Sequence, residues 1–301
     1  LHEARLALTE ASDLFELTAG ADHPKTLAAR ASVAHALLLD GEPEKARDLL
    51  ARLYDEAARR LGPDHPEVLT LRNNYGLALI TLGDHAGAAA LFEDLVARSA
   101  RVLGPDHVHT LQRTQKLAHA RLDAGDPAGA RALAEANLAA LARVLGDDHP
   151  DTHGQRLDLV GALRALGRPD AAEPHARAAL AGLRARLPAD HIAVRDAVLA
   201  LGLCLSQLDR LDEAHPLLVE AEPLLARQLG EQHPSTTALR FDLATIELRR
   251  GDPEAAAARF AANLPAFARA WGEDSLHTLL AEHNLALADY KRGRLPDALA
   301  R

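Results

Sequence analysis

The histidines at positions 23, 65, 107, 149, 191 and 233 are each 42 residues from the next, with no insertion or deletion between them. A fixed period of that length constrains the fold more than any local propensity. It makes the chain an array of one supersecondary unit whose copies must stack to bury a core. The histidine sits in a recurring turn: Asp22-His23-Pro24, Asp64-His65-Pro66 and Asp148-His149-Pro150, with variants Asp106-His107-Val108, Asp190-His191-Ile192 and Gln232-His233-Pro234. A seventh copy places Ser275 at the histidine position, where Gly272-Glu273-Asp274 keeps the frame. Two further markers hold the same phase. One is Gly41, Gly83, Gly125, Gly167, Asp209, Gly251 and Gly293; the other is Ala46, Ala88, Ala130, Ala172, Ala214, Ala256 and Ala298.

One unit reads as two antiparallel helices. Gly62-Pro63-Asp64-His65 is a turn, and Pro66 takes the first helical position, where its missing N–H costs nothing. Leu69, Tyr75, Ala78, Leu79 and Leu82 then form an apolar stripe at helical spacing. Gly83 ends that helix, because glycine takes the left-handed cap conformation without a Cβ clash. Asp84 is placed to cap the next helix, which runs through Leu91, Leu95 and Val96 to about Leu103. Neither helix buries its apolar face alone. The period therefore predicts one solenoid over 1–301, with full units at 20–61, 62–103, 104–145, 146–187, 188–229 and 230–271. Residues 1–19 read as the second helix of a preceding unit, since Ala4 falls on the Ala46 marker, and 272–301 as a partial unit. The absence of Met, the start at Leu1 and the lack of a polar cap at either end suggest a piece of a longer protein.

Small residues at Ala34, Gly76, Ala118, Gly202, Ala244 and Ala286 mark where two helices must approach closely. With the glycine turn and the alanine series, the chain resembles a tetratricopeptide repeat protein. The unit length and the Leu-Gly-Pro-Asp-His-Pro turn are similar to the long repeats of kinesin light chains and their bacterial relatives. Arg72-Asn73-Asn74-Tyr75-Gly76-Leu77-Ala78 and Asn284-Leu285-Ala286 match that family's first-helix motif best. The resemblance implies an all-α, right-handed superhelical solenoid. Only four of the 34 basic residues are lysine, a bias that resembles proteins of high-GC bacteria. Bacterial repeats of this type often follow a Ser/Thr kinase or a nucleotide-binding switch. A regulatory module of such a signalling enzyme is therefore the alternative to a free-standing scaffold.

Composition narrows the function classes. The net charge of −9 disfavours a nucleic-acid partner, which needs clustered Lys and Arg to neutralise phosphates. No apolar run approaches the ~20 residues of a membrane span, and no basic-then-apolar leader opens the chain. The single Cys204 rules out a disulfide framework and fits a reducing, cytoplasmic location; flanked by Leu203 and Leu205 on a helix, it reads as a buried structural thiol. No phosphate loop, nucleophile elbow or zinc-protease motif is present, so no enzymatic activity and no cofactor are expected. The six turn histidines are spread one per unit, too far apart to converge on one ion; they should instead satisfy polar groups where helices meet. Paired acids such as Glu42/Glu44 and Asp147/Asp148 lie at helix starts, where they suit the helix dipole. Pro223 and Pro265, 42 residues apart, should kink successive second helices.

What remains is surface. The resemblance places the first helices on a concave face, with exposed positions 5, 8, 9 and 12 residues after the turn histidine; these share one helical face. Unit one then presents Ala28, Ala31, Ser32 and His35. Units two and three present Asn73, Asn74, Gln112, Gln115, Lys116 and His119, with no acid; units four to six present Asp158, Asp196 and Asp242; unit seven presents Asn284. Amide side chains both donate and accept, so they suit the backbone of an extended peptide. In kinesin light chains, first-helix Asn residues hold the partner this way, and Asn74 and Asn284 match that position. The expected ligand is thus a protein or peptide segment in the groove. Asn73, Asn74, Gln112, Gln115 and Lys116 are its expected contact cluster, in a groove positive at His35, Lys116 and His119 and negative at the three aspartates. Self-association through the unfinished ends is a further possibility that the pattern leaves open.

Overall fold

In the computed structural model, residues 2–21 and 23–299 are described, the side chains of 2–4 apart. Leu1, Asp22 of the first turn, the Ala4 side chain and residues 300–301 lie outside the described residues. The described residues form fifteen α-helices and no strand. They are α1 (His2–Ala19), α2 (Pro24–Leu39), α3 (Pro43–Leu61), α4 (Pro66–Thr81), α5 (His85–Leu103), α6 (Val108–Asp123), α7 (Pro127–Leu145), α8 (Pro150–Ala165), α9 (Pro169–Arg184), α10 (Ile192–Gln207), α11 (Leu211–Leu229), α12 (Pro234–Arg249), α13 (Pro253–Trp271), α14 (Leu276–Lys291) and α15 (Leu295–Leu299). Even-numbered helices from α2 to α14 are the first helices of the repeats. They divide into two compact units, residues 1–162 and 163–301.

In the first unit each helix from α1 to α7 packs on the next, and the first helices α2 and α4 also touch. Leu27, Ala34, Leu50, Leu53, Val68 and Leu71 form one stretch of core, and Leu69, Phe92, Leu95 and Leu117 the next. The second unit repeats the scheme from α9 to α15, with α12 also touching α14. Its core holds Phe260 and Phe267, with Phe241 edge-on to both.

The markers have physical roles. Ala46, Ala88, Ala130, Ala172, Ala214 and Ala256 are all buried. Gly76 and Gly202 leave no room for a side chain: a Cβ there would lie 2.7 Å from the Phe92 ring and 2.6 Å from Leu218 Cδ2. The turn glycines adopt positive φ, and Asp209, the one departure in that series, is held at φ 60° all the same. From α3 to α13 the second helices run 19 residues except α9, which has 16. There the turn reads Leu187-Pro188 instead of Leu-Gly, and proline disfavours helical conformation in the residue before it, so the helix stops early. Pro223 and Pro265 sit inside α11 and α13, and Pro174 and Pro216 near the starts of α9 and α11; the helices continue through all four.

Candidate functional site

Every turn histidine does the same local job. The Nδ1 of His23, His65, His107, His149, His191 and His233 accepts the backbone N–H two residues on, at 3.1–3.3 Å. Each is thus the N-cap of a first helix, satisfying one of its orphan donors. Ser275 takes over in the seventh repeat, its Oγ accepting from the Thr278 N–H at 3.2 Å. Three residues after the histidine, Thr26, Thr110, Thr152 and Thr236 donate Oγ1–H to the glycine carbonyl that opens the turn. The aspartate before the histidine has a fixed partner too. Asp64 meets Arg101 at 3.0 Å, Asp106 meets Arg143 at 2.5 Å and Asp190 meets Arg227 at 3.6 Å, each 37 residues on. Gln232 accepts from Arg269 at the same spacing. This arginine period is visible in the sequence, broken where Ala185 stands 37 residues after Asp148.

With the turns committed to structure, the first-helix faces remain. Nearly all the positions expected at the surface are exposed or half-buried; Ala31 is the correction, buried against the α2–α3 core. Three members of the expected contact cluster line two neighbouring clefts of the first unit, Asn74 one and Asn73 and Gln112 the other; Gln115 and Lys116 line neither. Ser32, His35 and Leu39 of α2, with Asn74 and Leu77 of α4 and Leu8 of α1, line a cavity of about 460 Å³. Thr70 and Asn73 of α4 face His109, Gln112 and Arg113 of α6 across a second, of about 210 Å³. The adjacent asparagines therefore part the two clefts, linked by an Asn73 Nδ2–H to Asn74 Oδ1 bond of 3.2 Å.

The expected polarity needs a correction. Gln112 Nε2 donates to Asp151, and Gln115 Nε2 to Asp158, both at 2.9 Å. His119 lies 3.4 Å from Asp158 and 3.4 Å from Asp123. Two of the charges expected at opposite ends, His119 and Asp158, thus meet, because residues about one period apart face each other from α6 and α8. Hydrogen bonding to Asp158 raises the His119 pKa above its ordinary value, opposed by burial and by the charge of Lys116. Lys116 itself is half-buried. Asn284 lies on α14 of the second unit and is half-buried.

In the second unit Asp242 is half-buried, and burial pushes its carboxyl up to about 6, against the pull of Arg164. Cys204 is buried, its Sγ 3.1 Å from the Pro169 carbonyl, and burial raises its pKa. Among the described residues no three His, Cys, Asp or Glu side chains are grouped to hold a metal ion, and no helix is long and apolar enough to cross a membrane.

One feature of the smaller cleft was not anticipated. Arg113 is buried, 6% exposed, and its Nη1 donates to Ser99 Oγ at 2.7 Å. The signal was its repeat position: one period earlier stands Leu71 and three periods later Leu239, both core residues.

Family models described as tetratricopeptide repeat match residues 29–100 and 195–266, 110–151, and 154–178, together more than half of the chain. No curated protein matches the sequence. Among solved structures, nearly identical TPR-like repeats of a Podosopora anserina kinesin light chain-type protein are 24% identical, with a TM-score of 0.58, covering 68% of this chain and 97% of that one. BtubC (BKLC) of P. vanneervenii is 18% identical at TM-score 0.60, covering 75% and 91%. A Rap protein complexed with Competence and Sporulation Factor is 13% identical at TM-score 0.56, covering 91% and 94%. At these identities the likeness is one of fold.

Proposed function

The chain belongs to the tetratricopeptide repeat family, and from that premise we propose that it is a non-catalytic scaffold or sensor. Its first helices α2, α4 and α6 would hold an extended protein or peptide segment. The observation that carries this reading is the pair of adjoining clefts parted by Asn73 and Asn74. An extended chain repeats every two residues, so successive side chains could enter successive clefts while its backbone meets the amides between them. The larger cleft falls within the ~300–1,000 Å³ range of ligand pockets and has an apolar lining with few polar groups. The Rap protein, which has the same fold, is seen with Competence and Sporulation Factor bound, which lends the reading support.

The test is selection of peptides from a random display library against the folded chain, followed by titration of the winners. Asn74→Ala should weaken binding by about 0.5–1.5 kcal/mol, the size of one neutral hydrogen bond, and adding Gln115→Ala should weaken it further. Winners indifferent to both changes, but sensitive to substitutions on α3 or α5, would refute the reading.

A further inference from the structure

The core changes character between the third and fourth repeats. Ser99 of α5, Arg113 of α6, Asn137 of α7 and His153 and Gln155 of α8 are all buried. In the second repeat Leu71 stands at the Arg113 and Gln155 position, Leu95 at that of Asn137 and Leu69 at that of His153, all three buried. Polar bonds thus replace apolar packing. Arg113 Nη1 donates to Ser99 Oγ at 2.7 Å, and Asn137 Nδ2 donates to Gln155 Oε1 at 2.6 Å and to the Leu111 carbonyl at 2.9 Å. Gln155 Nε2 is buried with no acceptor among the described residues. Water would satisfy these groups if the helices parted, so the seam gains less from closure than an apolar one. Local opening is drawn to such places.

A clasp spans the seam on the exposed face of the first helices. His119 Nδ1 lies 3.4 Å from Asp158 of α8, and its Nε2 lies 3.4 Å from Asp123 at the end of α6. A neutral imidazole has one N–H, so one of its nitrogens would turn a lone pair toward a carboxylate; the imidazolium donates at both. The ring is seated for its charged form, and its raised pKa accords with that. Its charged surroundings come from three helices. α6 itself adds Lys116, α8 adds Asp158, and the start of α5 adds His85, with Nδ1 3.6 Å from the same Asp123 oxygen. The other charges nearby are engaged elsewhere: Glu93 of α5 with Arg121, Asp94 with Arg72 and Arg98, Arg131 of α7 with Glu135 and Arg143 with Asp106. The cap rings His107 and His149 accept through Nδ1, so it is their neutral form that caps, and rising pH does not weaken them.

We propose that the seam between α6–α7 and α8 is a proton-operated joint, closed by the His119 imidazolium on Asp158 and loosened when that proton leaves. The sign follows from linkage. The folded chain holds the proton more tightly than the unfolded one, so closure is complete below the ordinary histidine value of about 6.5 and is lost as pH climbs through the raised one. The acid limit is set by the two aspartates, which must stay ionised, at about pH 4. The joint needs no ligand and stands apart from the peptide-binding reading.

Hydrogen exchange on the whole chain, at about pH 6 and about pH 9 and corrected for intrinsic rates, tests this. Protection in α7 and in residues 150–162 of α8 should fall severalfold at the higher pH, while α2, α3 and α4 hold theirs. His119→Gln should show the weaker protection at both pH values. His119→Arg, a permanent cation at an exposed position, should keep the stronger protection at both. His85→Gln should retain the pH dependence. Protection at the seam that is equal at the two pH values would overturn the proposal. So would a fall shared evenly by α2, α3 and α4, or a pH dependence that survives His119→Gln and disappears in His85→Gln.

Discussion

A single ring nitrogen, repeated six times, starts every first helix from α2 to α12. An N-cap contributes about 1 kcal/mol. His65→Ala should therefore lower the unfolding free energy by about that amount, while His65→Ser should hold it, since Ser275 performs the same function in the seventh repeat. Urea titration of the two variants checks this. Asp242 gives a pH dependence of definite sign. Its carboxyl is raised from 3.8 to about 6 in the folded chain, so the folded state binds that proton more tightly than the unfolded one. Its contribution to stability falls as pH rises from about 4 to 6 and is level outside that window. Asp242→Asn should stabilise the chain at pH 7 by on the order of 1–3 kcal/mol and change little near pH 4, as read from urea midpoints at the two pH values. His119 works in the same direction. Its raised pKa stabilises the fold at acid pH, and that increment is lost as pH climbs through the raised value.

At the scale of the helix pair, close approach is what the small-residue series encodes. Gly76→Ala would place a methyl 2.7 Å from the Phe92 ring, between α4 and α5. The ring is fully buried and cannot swing clear, so the change should cost about 1–3 kcal/mol despite alanine's better helix propensity. A thermal melt that rises instead would show that the helices can part there. The elements themselves were legible. Glycine, proline and the alanine marker locate each turn, because cap and turn chemistry is local. The binding face was half legible. Its positions follow from helical geometry, so Asn73, Asn74 and Gln112 were found. The partner of each side chain was not, because that depends on the neighbouring first helix. Asp158 looked like the negative end of a groove until α8 set it beside Gln115 and His119. Arg113 was passed over because its offset is a core position, where a charge is not expected. The prolines in α11 and α13 carry a further regularity. Each borders a cavity at the same place in its repeat, with Glu222, Pro223 and Ala226 matching Leu264, Pro265 and Ala268 one period on.

For the molecule as a whole, stability in a repeat array is a sum of local terms and nearest-neighbour couplings. Hydrogen exchange in Gly76→Ala should accordingly lose protection first in α4 and α5, then in α3 and α6, with the effect fading by repeat number. A uniform loss along the chain would contradict that additive picture. The unbroken period carries one more consequence, for how such a chain can lengthen or shorten. Removing residues 108–149 would join His107 to Pro150, and the junction would read as a native turn, a histidine cap opening a first helix, with only the Arg143 partner of Asp106 lost, since Ala185 would then stand 37 residues on. Removing one residue fewer would rotate the following helix face by about 100° and set its polar side toward the core. The first deletion should fold with a lower molar helicity in proportion to its length, and the second should expose apolar surface to a dye. A gene for this chain can therefore gain or lose receptor area by whole-repeat slippage, with the fold itself discarding every out-of-phase product.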